Sequence, residues 1–467
     1  MPAFASIFGP MPRPAALWCA AALCAVPALA EPSAALRAAD PATPVGAVTV
    51  TTPPPAPAQP LELPTDIARA RQIWQQANAQ VAEFPRGHID ILRWEAQNPG
   101  APATETPAST GPALSVAEAV RLSLRQRPDL FAHADMNALE RAAVQRAYAA
   151  HVQAVHSAWA QAVAARHSLL RADEALSAAR TGVALGQRMV QAGNWSWAKL
   201  LREQLTEAAA QQAAARAQAA QTRANEHLAQ LLGLWDSAAL ADLLQGLPAS
   251  LPALPPTLQP GQDAQGADIA PSEIEAAVLR SDPTLAWQRT ELQRLQQALP
   301  PQRLAHWAQA LDKALGADTT HPAQGSPWQA PTLYDLPLLR DHALAKAVQA
   351  EAQLLQAATQ RRSMAREAWA QLQAAYAHAL HAQNILAPLQ ATLEQETLLR
   401  YNGMLQSTWD LLAQARERMA ALDAAHQARR DFWLAHAAWQ ALLAGGDDQS
   451  PGLASAAASR NPTPEGH

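Results

Sequence analysis

Apolar residues return every seven positions at Val155, Ala162, Leu169, Leu176, Val183 and Val190, the stripe of a helix that packs lengthwise against another helix. From about Asp129 to Gln191 the chain has no proline and only two glycines, Gly182 and Gly186. The pattern therefore predicts one helix of about 55 residues, on the order of 80 Å long at 1.5 Å per residue. Gly193-Asn194 stops it, and Ser196 can cap a second helix that runs to about Leu232, before Gly233. Farther on, Trp369, Leu372, Tyr376, Ala379 and Leu386 mark another seam, in a helix predicted over about Leu339 to Arg400 that Pro388 should kink. After Gly403, residues Leu405, Trp409, Leu412 and Met419 carry the pattern on to Leu443.

The two halves repeat each other. SVAEAVRLSLRQRPDL around Glu118 is echoed by PSEIEAAVLRSDPTL around Glu273, with Pro128 matching Pro283. AGNWSWAKLL, from Ala192 to Leu201, is echoed by YNGMLQSTWDLL, from Tyr401 to Leu412. Each Ala-rich run closes in Leu-Leu, at Leu231-Leu232 and at Leu442-Leu443. Each half reads as a short Pro-ended helix, a long helix, a glycine turn and a second long helix. Ser115 and Glu118 have capping-box spacing at the start of the first half. The predicted fold is all-α: duplicated long antiparallel α-helical hairpins, coiled-coil-like, with at most a vestigial β element. A tight turn between helices needs a residue tolerant of positive φ, which points to Gly193 and Gly403.

Punctuation residues set the boundaries. Helical repeat 1 occupies 113–235 and repeat 2 occupies 271–445, with a Pro- and Gly-rich linker at 236–270 and a polar tail, expected to be disordered, at 446–467. Six prolines make 297–338 irregular by the same reasoning, and its stretch PTLYDLPLL holds the one strand candidate. Residues 31–112 form a Pro/Ala-rich N-terminal segment with one short helix from Thr65 to about Val81. Within it, Glu83 to Pro99 is either a docking element or a strap that packs Phe84, Ile91 and Trp94 against the helices.

Composition narrows the class. Charged residues are only 16% of the chain, and the 49% hydrophobic fraction is largely alanine, with 5% aromatics. Alanine favours helix and buries little area, so long helices in close contact are expected over a thick core. The net charge of −5, without a dense Lys/Arg block, argues against nucleic acid as a partner. Residues 1–30 read as a signal peptide: Arg13 precedes the apolar run to Val26, and Ala28-Leu29-Ala30 is a cleavage site. The start codon is Met1 or Met11. Cys19 and Cys24 both lie in that segment, behind Trp18 and Leu23 and not a small residue, so neither has a lipoprotein context and a processed chain carries no thiol.

No phosphate loop, dinucleotide fingerprint, metalloprotease helix or nucleophile elbow is present, so no enzyme activity, catalytic residue or cofactor is expected. His378 and His381 share a helical face, but no carboxylate stands one turn away, which favours solvated or inter-helix histidines over a metal site.

The opening LSVAEAVRLSLRQRPDL, the tips at Gly193 and Gly403 that run through Ser196 and Ser407 into Leu-Leu, and the Leu-Leu-Gly closure at Gly233 together resemble the TolC-type outer-membrane efflux factors. The resemblance covers about 113–235 and 271–445. It implies a homotrimer whose six hairpins build a periplasmic tunnel, continued by an outer-membrane barrel of four strands per subunit. It further implies a periplasmic adaptor (membrane fusion) protein and an inner-membrane pump as partners, in efflux or type I secretion, with the chain in the periplasm or cell outer membrane of a Gram-negative bacterium. The partner-docking tips would be Gly193, Asn194, Trp195 and Ser196 in one hairpin, and Tyr401, Asn402, Gly403 and Ser407 in the other. The alternative is that they are plain turns of a helical hairpin in a monomer. The family places strands between the Pro-ended helix and the long helix of each half, yet the interval from Pro128 to Gly193 is taken up by predicted helix. The alternative is therefore a barrel-less periplasmic scaffold or adaptor that binds partners and conducts nothing.

Overall fold

The structure, a computed structural model, describes residues 114–262, 266–316 and 340–447, with single positions at 71, 72, 75, 333, 335 and 337. The expected signal peptide, the segment 83–99, most of the strand candidate at 331–339 and the tail from 448 lie outside the described residues. Arg71, Gln72 and Gln75, inside the expected short N-terminal helix, are helical.

Repeat 1 consists of α1 (Val116–Arg125), a 3-10 turn (Pro128–Leu130), α2 (Ala138–Gln191) and α3 (Trp197–Leu232). A short α4 (Ser237–Gln245) follows. Repeat 2 consists of a 3-10 turn (Pro271–Glu273), α5 (Ile274–Ser281), α6 (Pro283–Gln297), α7 (Pro301–Gly316), α8 (His342–His381), a π turn (Ala382–Leu386), α9 (Ala387–Asn402) and α10 (Thr408–Leu443). Among the described residues the one β feature is an isolated antiparallel bridge between Gln262 and Asp268. The all-α hairpin architecture agrees with the periodicity.

Local chemistry explains the helix ends. Ser115 and Glu118 form the expected capping box, in which the Glu118 amide donates to the Ser115 hydroxyl and the Ser115 amide to the Glu118 carboxylate. The helix predicted from Asp129 starts later, at Ala138, because Asn137 and Glu140 make their own capping box there. Before it, Arg127 clamps Asp129 through two hydrogen bonds of 2.9 and 2.7 Å and keeps Pro128–Leu130 as a separate turn. The stretch expected to be irregular contains α7. Pro301 opens that helix, where its missing N–H would have had no partner anyway.

Pro388 sits in the second position of α9, and the π turn lies directly before it. A π turn inserts a residue and rotates the helix beyond it. Leu386, expected in the seam, is exposed for that reason, while Trp369, Leu372 and Ala379 upstream are buried.

Each repeat buries its own core. In repeat 1, Val155, Trp159, Ala162 and Val163 of α2 meet Ala119 of α1 and Leu228 and Leu232 of α3. In repeat 2, Val278 of α5, Trp369 and Leu372 of α8, and Phe432, Trp439 and Leu442 of α10 pack together. The half-buried Trp433 touches both cores. Repeat closure also recurs. Gly233 (φ 68°) follows the first Leu-Leu, and a Cβ there would come 2.9 Å from Gln126, just past α1. Gly445 (φ 84°) follows the second, and its Cβ would come 2.8 Å from the Ser281 carbonyl at the end of α5.

The expected linker is a fastened strap. Leu247 and Leu251 are buried in the first core. Downstream its carbonyls accept aromatic donors: Trp433 Nε1 on Pro252 (3.1 Å), Tyr376 Oη on Pro255 (2.8 Å) and Trp439 Nε1 on Pro260 (2.5 Å). Proline lacks an N–H but keeps its carbonyl, so such a strap is satisfied from one side.

A buried ionic cluster joins the repeats. Arg361 of α8, 3% exposed, lies 3.3 Å from Asp282 and 3.2 Å from Asp447, and its Nη2 donates to the Leu442 carbonyl. Asp282 caps α6 by accepting from the amides of Thr284 (2.8 Å) and Leu285 (3.3 Å), while Arg146 of α2 donates to Thr284 Oγ1 at 2.7 Å. Asp447 thus carries ordered contacts past the expected repeat boundary at 445. Burial pulls the Arg361 guanidinium below its ordinary range, against the two carboxylates that raise it. Removing one partner strands the other charge. Asp282→Ala and Arg361→Met are therefore each expected to cost about 3 kcal/mol in urea denaturation.

Histidines also line the contact between α2 and α10. His167 stacks on His426, with ring centroids 4.3 Å apart and planes 14° apart. Burial first, then the neighbouring His167, Arg429 and Arg171, push His426 from 6.5 to about 4. Burial also lowers His167, His156 and His436. The unfolded chain therefore binds more protons than the folded one as pH falls below 6.5. The melting temperature should fall between pH 6.5 and about 4, and His426→Phe should flatten that slope.

Candidate docking tips

Each hairpin ends in the same hydrogen-bonded turn, which at the second tip lies one residue later than the sequence echo suggests. At the first tip the Gly193 amide donates to the Val190 carbonyl (3.0 Å), and Asn194 to Met189 (2.9 Å). At the second, Met404 donates to Tyr401 (2.9 Å) and Leu405 to Arg400 (2.8 Å). Both are Schellman turns, and they align Gly193 with Met404 and Ser196 with Ser407. Gly193 has φ 73°, as expected. Gly403 does not: its φ is −81°, and Met404 takes the left-handed position at 59°. Helix α9 runs one residue longer than the echo suggests, so Gly403 ends in near-helical geometry with its amide bonded to Leu399. A side chain at positive φ costs about 1–2 kcal/mol, which the second tip bears and the first avoids.

The caps differ as well. Ser407 forms a capping box with Asp410, whose carboxyl its amide and hydroxyl hold below the usual carboxylate range. Ser196 occupies the N-cap of α3, but its side chain bonds no helix amide, contrary to expectation. The third helical residue there is Lys199, which cannot return the reciprocal bond; its ammonium lies 5.9 Å above the Trp195 ring instead.

The two tips meet. Trp195 stacks on Trp409 with centroids 4.1 Å apart and planes 24° apart. Both indoles lie over α2, where Gly186 faces Trp195 and Gly182 faces Trp409. A Cβ at Gly186 would come 3.1 Å from the Trp195 ring and 3.1 Å from Leu200, and one at Gly182 would come 3.2 Å from Glu203. Glycines four residues apart thus make a flat seat for both rings. Of the eight predicted residues, Trp195 joins the tips through its stack on Trp409. Asn194, Asn402 and Gly403 are exposed, and Tyr401 is half-buried. Sequence reasoning missed Trp409 and the glycine seat as site features, although the Gly–x–x–x–Gly spacing was legible. Beyond the stack, Met404 and Leu405 stand 75% and 79% exposed. The periodicity places Leu405 in the seam, but the turn projects it outward.

His378 and His381 are exposed near the end of α8. Among the described residues no group of three metal-ligating side chains comes together, and no helix is long and apolar enough to cross a membrane.

The tip geometry sets two outcomes for urea denaturation. Gly193→Ala should cost about 1–2 kcal/mol, whereas Gly403→Ala should be close to neutral. A double-mutant cycle of Trp195→Ala and Trp409→Ala should give a coupling of about 0.5–1.5 kcal/mol.

No protein-family model and no curated protein matches this chain. Among solved structures it is similar to the outer-membrane channel OprN, at 19% identity over 70% of this chain and 72% of that one, with a TM-score of 0.46. It is similar to CusC at 16% identity over 82% and 93% of the two chains, TM-score 0.43. It is also similar to the outer-membrane protein VceC of Vibrio cholerae at 14% identity over 81% and 97%, TM-score 0.44.

Proposed function

We propose that this chain is a subunit of a TolC-like helical conduit in a Gram-negative cell envelope, acting passively in efflux or type I secretion and without catalysis. The observation that carries this reading is the unclosed order of helix contacts. Helix α3 packs on α2, α2 on α10, and α10 on α8 and α9, and no comparable packing joins α3 back to α8 or α9. The series ends on exposed apolar side chains: Leu201 and Leu205 on α3, and Ile385, Leu386, Leu389 and Leu393 in and before α9. Two different unpaired edges suit a head-to-tail contact between copies, which closes into a ring. The expected ring is a homotrimer. Its tips, with Met404 and Leu405 outermost, would dock a periplasmic adaptor that links the ring to an inner-membrane pump.

A second reading has its own support. The interval from Pro128 to Gly193, where the resembled family has strands, is occupied in this chain by a 3-10 turn, a seven-residue connection and α2. A periplasmic scaffold that binds the adaptor and conducts nothing accommodates that difference.

Native mass spectrometry of the exported protein should find a trimer, and Leu205→Lys with Leu389→Lys should return it to monomer while helicity is kept. Monomeric wild-type protein would sink the ring. Retention in the outer-membrane fraction through a high-salt wash separates the conduit from the scaffold, which would wash free.

A further inference from the structure

The chain carries a net charge of −5, yet one cavity gathers cations. It measures about 690 Å³ and lies between α2, α3 and α10. Arg171 of α2, Arg216 and Arg223 of α3, and Arg416 and Arg430 of α10 line it, over a floor of alanines from all three helices. The one carboxylate in the lining, Asp423, is already engaged by the Ser168 hydroxyl (2.7 Å) and the Gln427 amide (2.6 Å). Arg430 pairs with Asp431, and Arg171 reaches Glu174 through Nη1 at 2.8 Å. Arg171 Nε and Arg416 Nη1 have no hydrogen-bond partner among the described residues and are closed off from water, so they lie behind the cavity wall.

Five like charges around one cavity repel each other, although Arg216 and Arg223 are also exposed to solvent. An anion relieves that repulsion. Guanidinium groups bind carboxylate, sulfonate or phosphate through paired hydrogen bonds, and the alanine floor offers apolar contact to the rest of such a molecule. The volume falls in the range of small-molecule sites, about 300–1,000 Å³. We propose that this cavity binds an organic anion with an apolar body, its acid group between Arg171 and Arg416 and its hydrocarbon over the alanines around Ala217. The lining residues differ from those of the tips and the apolar edges, so the site is tested separately from the conduit.

The test uses the full chain and two probes that share one aromatic frame. 1-Anilinonaphthalene-8-sulfonate carries the acid group, and N-phenyl-1-naphthylamine lacks it. Fluorescence titration should find the sulfonate bound at least about tenfold more tightly than the neutral probe, the scale of a charge-assisted contact. Arg171→Gln with Arg416→Gln should weaken the sulfonate by about tenfold or more at unchanged helicity. Ala217→Phe, which fills the floor and keeps every charge, should block it too. Equal affinity for both probes, or unchanged sulfonate affinity in either variant, overturns the site. Loss of the oligomer in the arginine pair, read by native mass spectrometry, overturns it as well and assigns the arginines to a contact between copies.

Discussion

The close approach of α2 and α10 is the constraint on which the rest of the structure depends. An alanine-rich helix buries little area per residue, so its stability has to come from length and from contact on more than one side. Helix α2 meets that need by packing on α3 within its own repeat and on α10 across the repeat boundary. Where the contact reaches the tips, glycine replaces alanine and two indoles occupy the space of the missing side chains. Farther from the tips, stacked imidazoles fill the same interface, which makes it firm at neutral pH and costly to protonate.

Around that contact the two repeats use similar closures for different ends. Both finish in Leu-Leu followed by a left-handed glycine pressed against the end of the repeat's short first helix. The Pro-bearing corners diverge. In repeat 1 the acid after proline, Asp129, makes an exposed local pair with Arg127. In repeat 2 the acid before proline, Asp282, is buried and draws α2, α8 and the chain beyond α10 into one ionic cluster. The same motif is a surface turn in one copy and an internal anchor in the other.

The Pro-rich strap shows how a segment without ladder-forming amides becomes part of a helical core. Its carbonyls meet indole and phenol donors from α8 and α10, and its leucines enter the first core. The aromatics are few, but several do double work as core filling and as donors to the strap, which binds the linker to both repeats.

Much of this was legible in the amino-acid order alone. Heptad spacing along α2, the duplicated corners, Gly193 and Gly233 as turn residues, and the Ser115–Glu118 cap are local signals, each fixed by the preference of a few neighbouring residues for one backbone geometry. Near-misses arose where two local solutions compete: the start of α2 went to the stronger cap at Asn137, and the second tip slid one residue so that Met404, not Gly403, turns left-handed. Tertiary structure alone decided what lies far apart in the chain: the Trp195–Trp409 stack, the Arg361 cluster, the strap's partners and the arginine-lined cavity. Those contacts depend on which helix faces which and at what register, and periodicity within one helix states that it has a buried face without stating whose face it meets.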